Sequence, residues 1–244
     1  MTSLDDVARR PGRRVALSRD RILGAALVFI DEHGVESLTM QRLAAGLGTG
    51  AMSLYNHVKN KDDLLAGVSE LVWEEVAAAA PPSDDHAVWL VALGSAIRAV
   101  ARRHPQALGV FVAGGVFPPA LLEVIAEQFE RDGAEEPDPR LVAAITTVSA
   151  FALGWAVTEA SGLAPNGAAE TERQRIRRVT RALPPDTPDR LVDAAIAVCA
   201  SEIEPMFATG LAAIVAGCGY TPPTPVPEAT GSPPRTSRRR QAPR

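Results

Sequence analysis

The sequence predicts an all-α protein, with an N-terminal three-helix unit containing a helix-turn-helix and then a larger helical body. Three observations carry that expectation. Alanine and leucine dominate long stretches with apolar residues at three- and four-residue spacing, β-branched runs are short, and aromatic residues make up only 5% of the 244 positions. With 46% apolar residues, the chain can build a small head of about 50–60 residues and a larger core. The expected divisions are a basic flexible arm at 1–17, the head at 18–61, the helical body at 62–220 and a disordered Pro/Arg-rich tail at 221–244.

In chain order, the first helix carries Ile22, Ala26, Phe29 and Ile30 and ends at His33-Gly34. The second opens at Thr39, an N-cap residue, and places Met40, Leu43, Ala44 and Leu47 on one face. Gly46-Leu47-Gly48-Thr49 forms the turn, since glycine tolerates the positive φ at which a helix stops and Thr49 can cap the next helix. In the third helix Leu54 and Val58 anchor one side. Asn60 caps a fourth, running from Asp62 to about Ala79, with Leu64, Leu65, Val68, Leu71, Val72 and Val76 as its apolar stripe and Pro81-Pro82 ending it. Helices at about 87–103, 106–112, 118–131, 139–161 and 188–217 complete the body, and the charged connection 162–188 forms a flap or a short surface helix.

Two short helices across a glycine elbow are what major-groove reading needs. Small residues let the second helix approach DNA closely, Ser53 and Asn56 offer hydrogen bonds, and Ala51 or Met52 can touch a thymine methyl. Lys59 and Lys61 come next as phosphate contacts. The DNA-contacting set is Thr39, Gln41, Arg42, Thr49, Gly50, Ala51, Met52, Ser53, Tyr55, Asn56, His57, Lys59 and Lys61. The net charge of −4 conceals an asymmetry: residues 1–61 carry nine basic against six acidic groups, and the tail carries five arginines against Glu228. The intervening body is therefore acidic, which orients the basic end toward phosphates. Arg9, Arg10, Arg13 and Arg14 place four cations in the arm.

The segment Ser-Leu-Tyr-Asn-His-Val-Lys-Asn-Lys-Asp-Asp-Leu-Leu, Ser53 to Leu65, resembles the signature of the TetR family of one-component bacterial repressors, and the likeness extends over roughly Ser18 to Val76. The resemblance implies a homodimer on a palindromic operator, with a helical body that dimerises and takes up a small-molecule effector. It also implies that the two long alanine-rich helices, at 139–161 and 188–217, form a four-helix dimer interface. A largely apolar effector pocket would draw on Trp89, His104, Phe111, Phe117, Thr146, Phe151, Trp155 and Glu159. Binding that favours misplaced recognition helices would release the operator.

Other classes find little support. Gly46-Leu47-Gly48-Thr49-Gly50-Ala51 fits a dinucleotide fingerprint, but helical rather than strand patterning precedes it. A helical small-molecule-binding protein or an enzyme on the same fold is the alternative, yet no G-x-S-x-G elbow, H-E-x-x-H or phosphate loop occurs. His33, His57, His86 and His104 lack metal-ligand spacing, so neither metal nor cofactor is expected. Cys199 and Cys218, read on one terminal helix, would stand about 28 Å apart and could not bridge. With no apolar leader and no uninterrupted apolar stretch of about 18 residues, the expected compartment is the cytoplasm.

Overall fold

The computed structural model describes residues 17–113, 118–133, 136–160, 171–200 and 203–223, and among them every regular element is a helix. The arm to residue 16 and the tail from 224 lie outside the described residues.

Helix α1, Arg19–His33, starts at Ser18, whose hydroxyl accepts from the Arg21 amide at 3.3 Å, and stops at Gly34 with φ 78°. Its inward face buries Ile22, Leu23, Ala26, Phe29 and Ile30. Thr39 caps α2, Met40–Gly46, by accepting from the Arg42 amide at 3.2 Å. Gly48 turns the chain with φ 65°, a backbone conformation in which a side chain would be strained. Helix α3 is a single turn, Ala51–Leu54. Its cap is Gly50 in extended conformation, not Thr49, whose amide instead closes the turn onto the Ala44 carbonyl at 3.0 Å. Leu38, Leu43, Leu54 and Val58 form the floor under these short helices.

Helix α4, Lys61–Ala79, is capped by Asn60, which accepts from the Asp63 amide at 2.8 Å. It packs on α1 at Gly67, where an added Cβ would lie 2.6 Å from Leu23 Cδ2. The absent side chain lets the head sit directly on the first helix of the body. Helix α5, His86–Arg103, is the centre of the body and contacts α4, α8 and α11. Its Gly94 has Leu211 and Val148 against it, so three helices meet where a side chain is missing. A short 3-10 turn, Pro105–Ala107, touches α1 and leads into α6, Leu108–Ala113. Helix α7, Pro119–Asp132, ends at left-handed Gly133.

Helix α8, Pro139–Ala160, is long and apolar enough to cross a membrane by length and composition alone. Here one face, with Leu141, Ala144, Ile145, Val148 and Ala152, is buried in the protein core. The connection at 162–188 contains α9, Glu172–Ala182, opened by a Thr171–Gln174 capping box and packed on α10, Asp189–Ala200. The terminal helix expected over 188–217 is described in two stretches, α10 and α11, the latter Ile203–Gly217, and 201–202 lie outside the described residues. Cys199 lies in α10 and Cys218 just beyond α11, and Cys218 is a half-buried free thiol.

Candidate nucleic-acid interface

With Met40, Leu43, Ala44, Leu54 and Val58 buried, α2 and α3 leave their other residues exposed or half-buried. Thr39, Gln41, Arg42, Gly50, Met52, Tyr55, Asn56 and Lys59 are exposed, while Thr49, Ala51, Ser53, His57 and Lys61 are half-buried. Met52 is 78% exposed and Tyr55 45%, leaving two large side chains open to solvent beside hydrogen-bonding groups. The elbow thus gathers the residues expected to contact DNA on one short stretch of surface. Not all are equally free. The Thr39 hydroxyl serves the cap, and the Arg42 guanidinium donates to the Ser37 carbonyl at 2.8 Å and lies over the Phe29 ring.

Two residues outside that expected set fix the loop carrying the lysines. Arg19 grips Asp63 through both guanidinium nitrogens, at 2.8 and 3.1 Å, and donates to the His57 carbonyl at 3.0 Å. Asp63 also accepts from the Lys59 amide at 2.7 Å. The hydrogen bond from Arg19, and after it that from Lys59, holds the Asp63 carboxyl down at about 2. Segment 57–63 is therefore tied to α1, and the backbone bearing Lys59 and Lys61 is held by charge-assisted contacts.

The described residues of the expected effector pocket take several different places in the body. Trp89 is fully buried, its indole donating to the Ala80 carbonyl at 3.2 Å, and Phe111 packs edge-on to Trp73. His104 sits at the joint with the head, 2.7 Å from Asp31 and 3.4 Å from Glu75. Glu159 is buried against Arg98 at 2.6 Å, and Arg98 also reaches Glu204 on α11 and covers Phe207. Glu204 is held below the usual carboxylate range: partial burial pushes it up, but hydrogen bonds from Arg98 and Arg102 outweigh that. Phe151 and Trp155 cluster with Phe207, while Phe117 falls outside the described residues. Thr146 is exposed, donates to its own helix at Val142, and borders a shallow apolar groove of about 140 Å3 between α7 and α8. Sequence periodicity marks these side chains as inward-facing but does not distinguish a packed core from a cavity wall.

Residues 22–68, from α1 through the elbow into α4, match the family described as bacterial regulatory proteins, tetR family. The chain carries the N-terminal domain of that family. The chain is 34% identical over 166 residues to the transcriptional repressor DrrR1 of Streptomyces coeruleorubidus, covering 62% of the chain and 57% of DrrR1. It is 38% identical over 104 residues to an HTH-type regulator of Mycobacterium tuberculosis, covering 41% of the chain and 47% of that protein. These matches span about half the length of each curated relative. Among solved structures, the Streptomyces coelicolor TetR family protein ActR in complex with actinorhodin aligns with a TM-score of 0.63 and 27% identity, over 84% of this chain and 97% of that one.

Proposed function

We propose that this chain is a homodimeric transcriptional repressor that acts in the cytoplasm, reads a palindromic operator through the surface of α2 and α3, and is released by a small, largely apolar molecule. The observation that carries this reading is the elbow itself: a glycine turn puts Met52, Tyr55 and Asn56 outward on a single helical turn, while Arg19 and Asp63 hold the adjoining lysine loop. The relative named a repressor supports the direction of regulation, and the ActR complex supports a small-molecule ligand. On this reading 18–61 is the DNA-binding head and 62–220 the body. The elbow residues then act by contact and charge, with no catalytic role.

Dimerisation draws on α8 and α11. The outward face of α8 exposes Val142, Ala143, Thr147, Ala150 and Val157, and α11 exposes Met206. Small residues allow the close helix approach that a symmetric pairing needs, and two recognition elements about 34–36 Å apart would meet successive major-groove faces.

The test is salt-dependent binding to DNA upstream of the protein's own and neighbouring genes, measured by fluorescence anisotropy. Saturable, sequence-specific binding by the wild type is expected, with loss when Tyr55→Ala and Lys61→Ala are combined. Unaltered binding by that folded double variant would overturn the assignment of this surface. A protein with no sequence-specific binding to any such fragment would overturn the repressor reading.

A further inference from the structure

Helix α1, the scaffold of the head, is fastened to the body near both of its ends. At its first turn Arg19 grips Asp63 at 2.8 Å. Their shared hydrogen bond holds the Asp63 carboxyl down at about 2 and raises the Arg19 guanidinium above its ordinary value, so both stay charged from mildly acidic to alkaline pH. At its far end Asp31 meets His104, the residue that follows α5, at 2.7 Å. About 18 Å of helix separates the two ties. The second is the titratable one, because an imidazole changes charge near neutrality.

The His104 side chain is only 10% exposed. Three helices surround it, each with one charged group: Asp31 of α1 at Nδ1, Glu75 of α4 at 3.4 Å from Nε2, and Arg103 of α5 paired with Glu75. A carboxylate thus stands at each ring nitrogen, and only the imidazolium has a proton for both. A neutral ring turns a lone pair on one of them. Asp31 is the more sensitive partner, since its Oδ1 is buried without a hydrogen-bond partner, whereas Glu75 keeps Arg103. Loss of the ring proton leaves the Asp31 charge uncompensated, and water reaches it only if the end of α1 lifts. The 3-10 turn Pro105–Ala107, which follows His104 and packs on α1, would part from the helix in the same movement.

We propose that His104 is a proton-operated latch that fixes the head on the body, and that its protonation strengthens operator binding. The hydrogen bond to Asp31, helped by the Glu75 charge, raises the proton affinity of the ring against the opposing effect of burial. The latch is therefore closed at mildly acidic pH and opens as pH rises through the raised value. A head already held in place gives up less freedom when it docks on DNA, which sets the direction of the effect. Arg19 and Asp63, with Leu23 seated on Gly67, keep the other end of α1 attached, so opening is a tilt of the head and not its detachment. The effect on DNA rests on the repressor reading; the latch does not.

Hydrogen–deuterium exchange of the full chain at about pH 6 and about pH 8.5, read by mass spectrometry and corrected for intrinsic rates, tests the latch. In the wild type the last turns of α1 are expected to open about tenfold or more often at the higher pH. His104→Gln should abolish that rise and Asp31→Asn should reduce it, with circular dichroism confirming folded chains. Operator affinity, followed by anisotropy on the same preparations, should fall about fivefold more in the wild type than in His104→Gln over that interval. Comparing the two proteins cancels the contribution of His57, the imidazole of the elbow. No pH-dependent opening in the wild type, or the same opening in a folded variant at His104, would overturn the latch. Opening without a His104-dependent change in operator affinity would overturn its control of DNA binding. A chain that binds no operator would remove the repressor reading, and exchange alone would then decide the latch.

Discussion

His104 Nδ1 lies 2.7 Å from Asp31 Oδ2, joining the residue that ends α5 to the last turns of α1. Glu75 on α4 approaches the other ring nitrogen at 3.4 Å and is itself paired with Arg103. One imidazole thus connects the head, the first helix of the body and the central helix. The hydrogen bond to Asp31 raises the His104 pKa above its ordinary 6.5, overcoming the opposing effect of burial and helped by the Glu75 charge.

Stability of the joint should therefore depend on pH. A histidine whose folded pKa is raised contributes stability that is fully present below about 6.5 and disappears as pH rises through the folded value. Melting temperatures of the wild type and Asp31→Asn, measured from pH 5.5 to 9, should differ most at the acidic end and converge toward the alkaline end. A constant difference across that range would show that protonation of His104 does not contribute to the joint.

Arg98 and Glu159 lead to an asymmetric expectation. Both are buried, but Arg98 has a further partner in Glu204, whereas the hydrogen bonds described for Glu159 all come from Arg98. Arg98→Ala leaves Glu159 uncompensated and should destabilise by about 3–5 kcal/mol. Glu159→Ala leaves Arg98 its contact with Glu204 and should have a smaller effect. Urea denaturation of the two variants checks the order, and a larger loss for Glu159→Ala would contradict this account of the pair.

Gly67 tests the close seating of the head. A methyl group there would meet Leu23 Cδ2 at 2.6 Å and Cδ1 at 2.8 Å, so the leucine must move or α1 must lift. Gly67→Ala is expected to destabilise by about 1–3 kcal/mol through overpacking. Combining it with Leu23→Ala should make the two effects less than additive in a double-mutant cycle. Strict additivity would mean that the two positions do not press on each other.

The features legible in the sequence are local ones. Thr39 and Asn60 cap their helices as their side-chain chemistry requires, and Leu43, Leu54 and Val58 are buried as their spacing requires. Thr49 carries the hydroxyl that favours a cap position, but extended Gly50 starts the helix. The contacts that organise the joint are long-range: Arg19 meets Asp63, Asp31 meets His104 and Arg98 meets Glu159 across 44, 73 and 61 residues. No periodicity encodes such pairings. The aromatic side chains expected around a ligand illustrate the same limit, since the pattern that turns Trp89 and Phe111 inward also serves a filled core.

The elbow and its anchored loop should separate under mutation into residues that hold DNA and residues that read it. Lys59→Ala and Lys61→Ala remove charge near the phosphates, so each should weaken all sequences alike and reduce the salt dependence of log K by about 0.9. Asn56→Ala should instead alter base preference, with a loss of about 1–3 kcal/mol on the preferred operator and little on unrelated DNA. Asp63→Asn keeps the Asn60 cap but weakens the Arg19 anchor, so it should lower affinity without changing preference. Anisotropy titrations at several salt concentrations, on the operator and a scrambled duplex, distinguish these outcomes. A changed base preference for Asp63→Asn would mean that the anchor sets the direction of α3 as well as the position of the lysine loop.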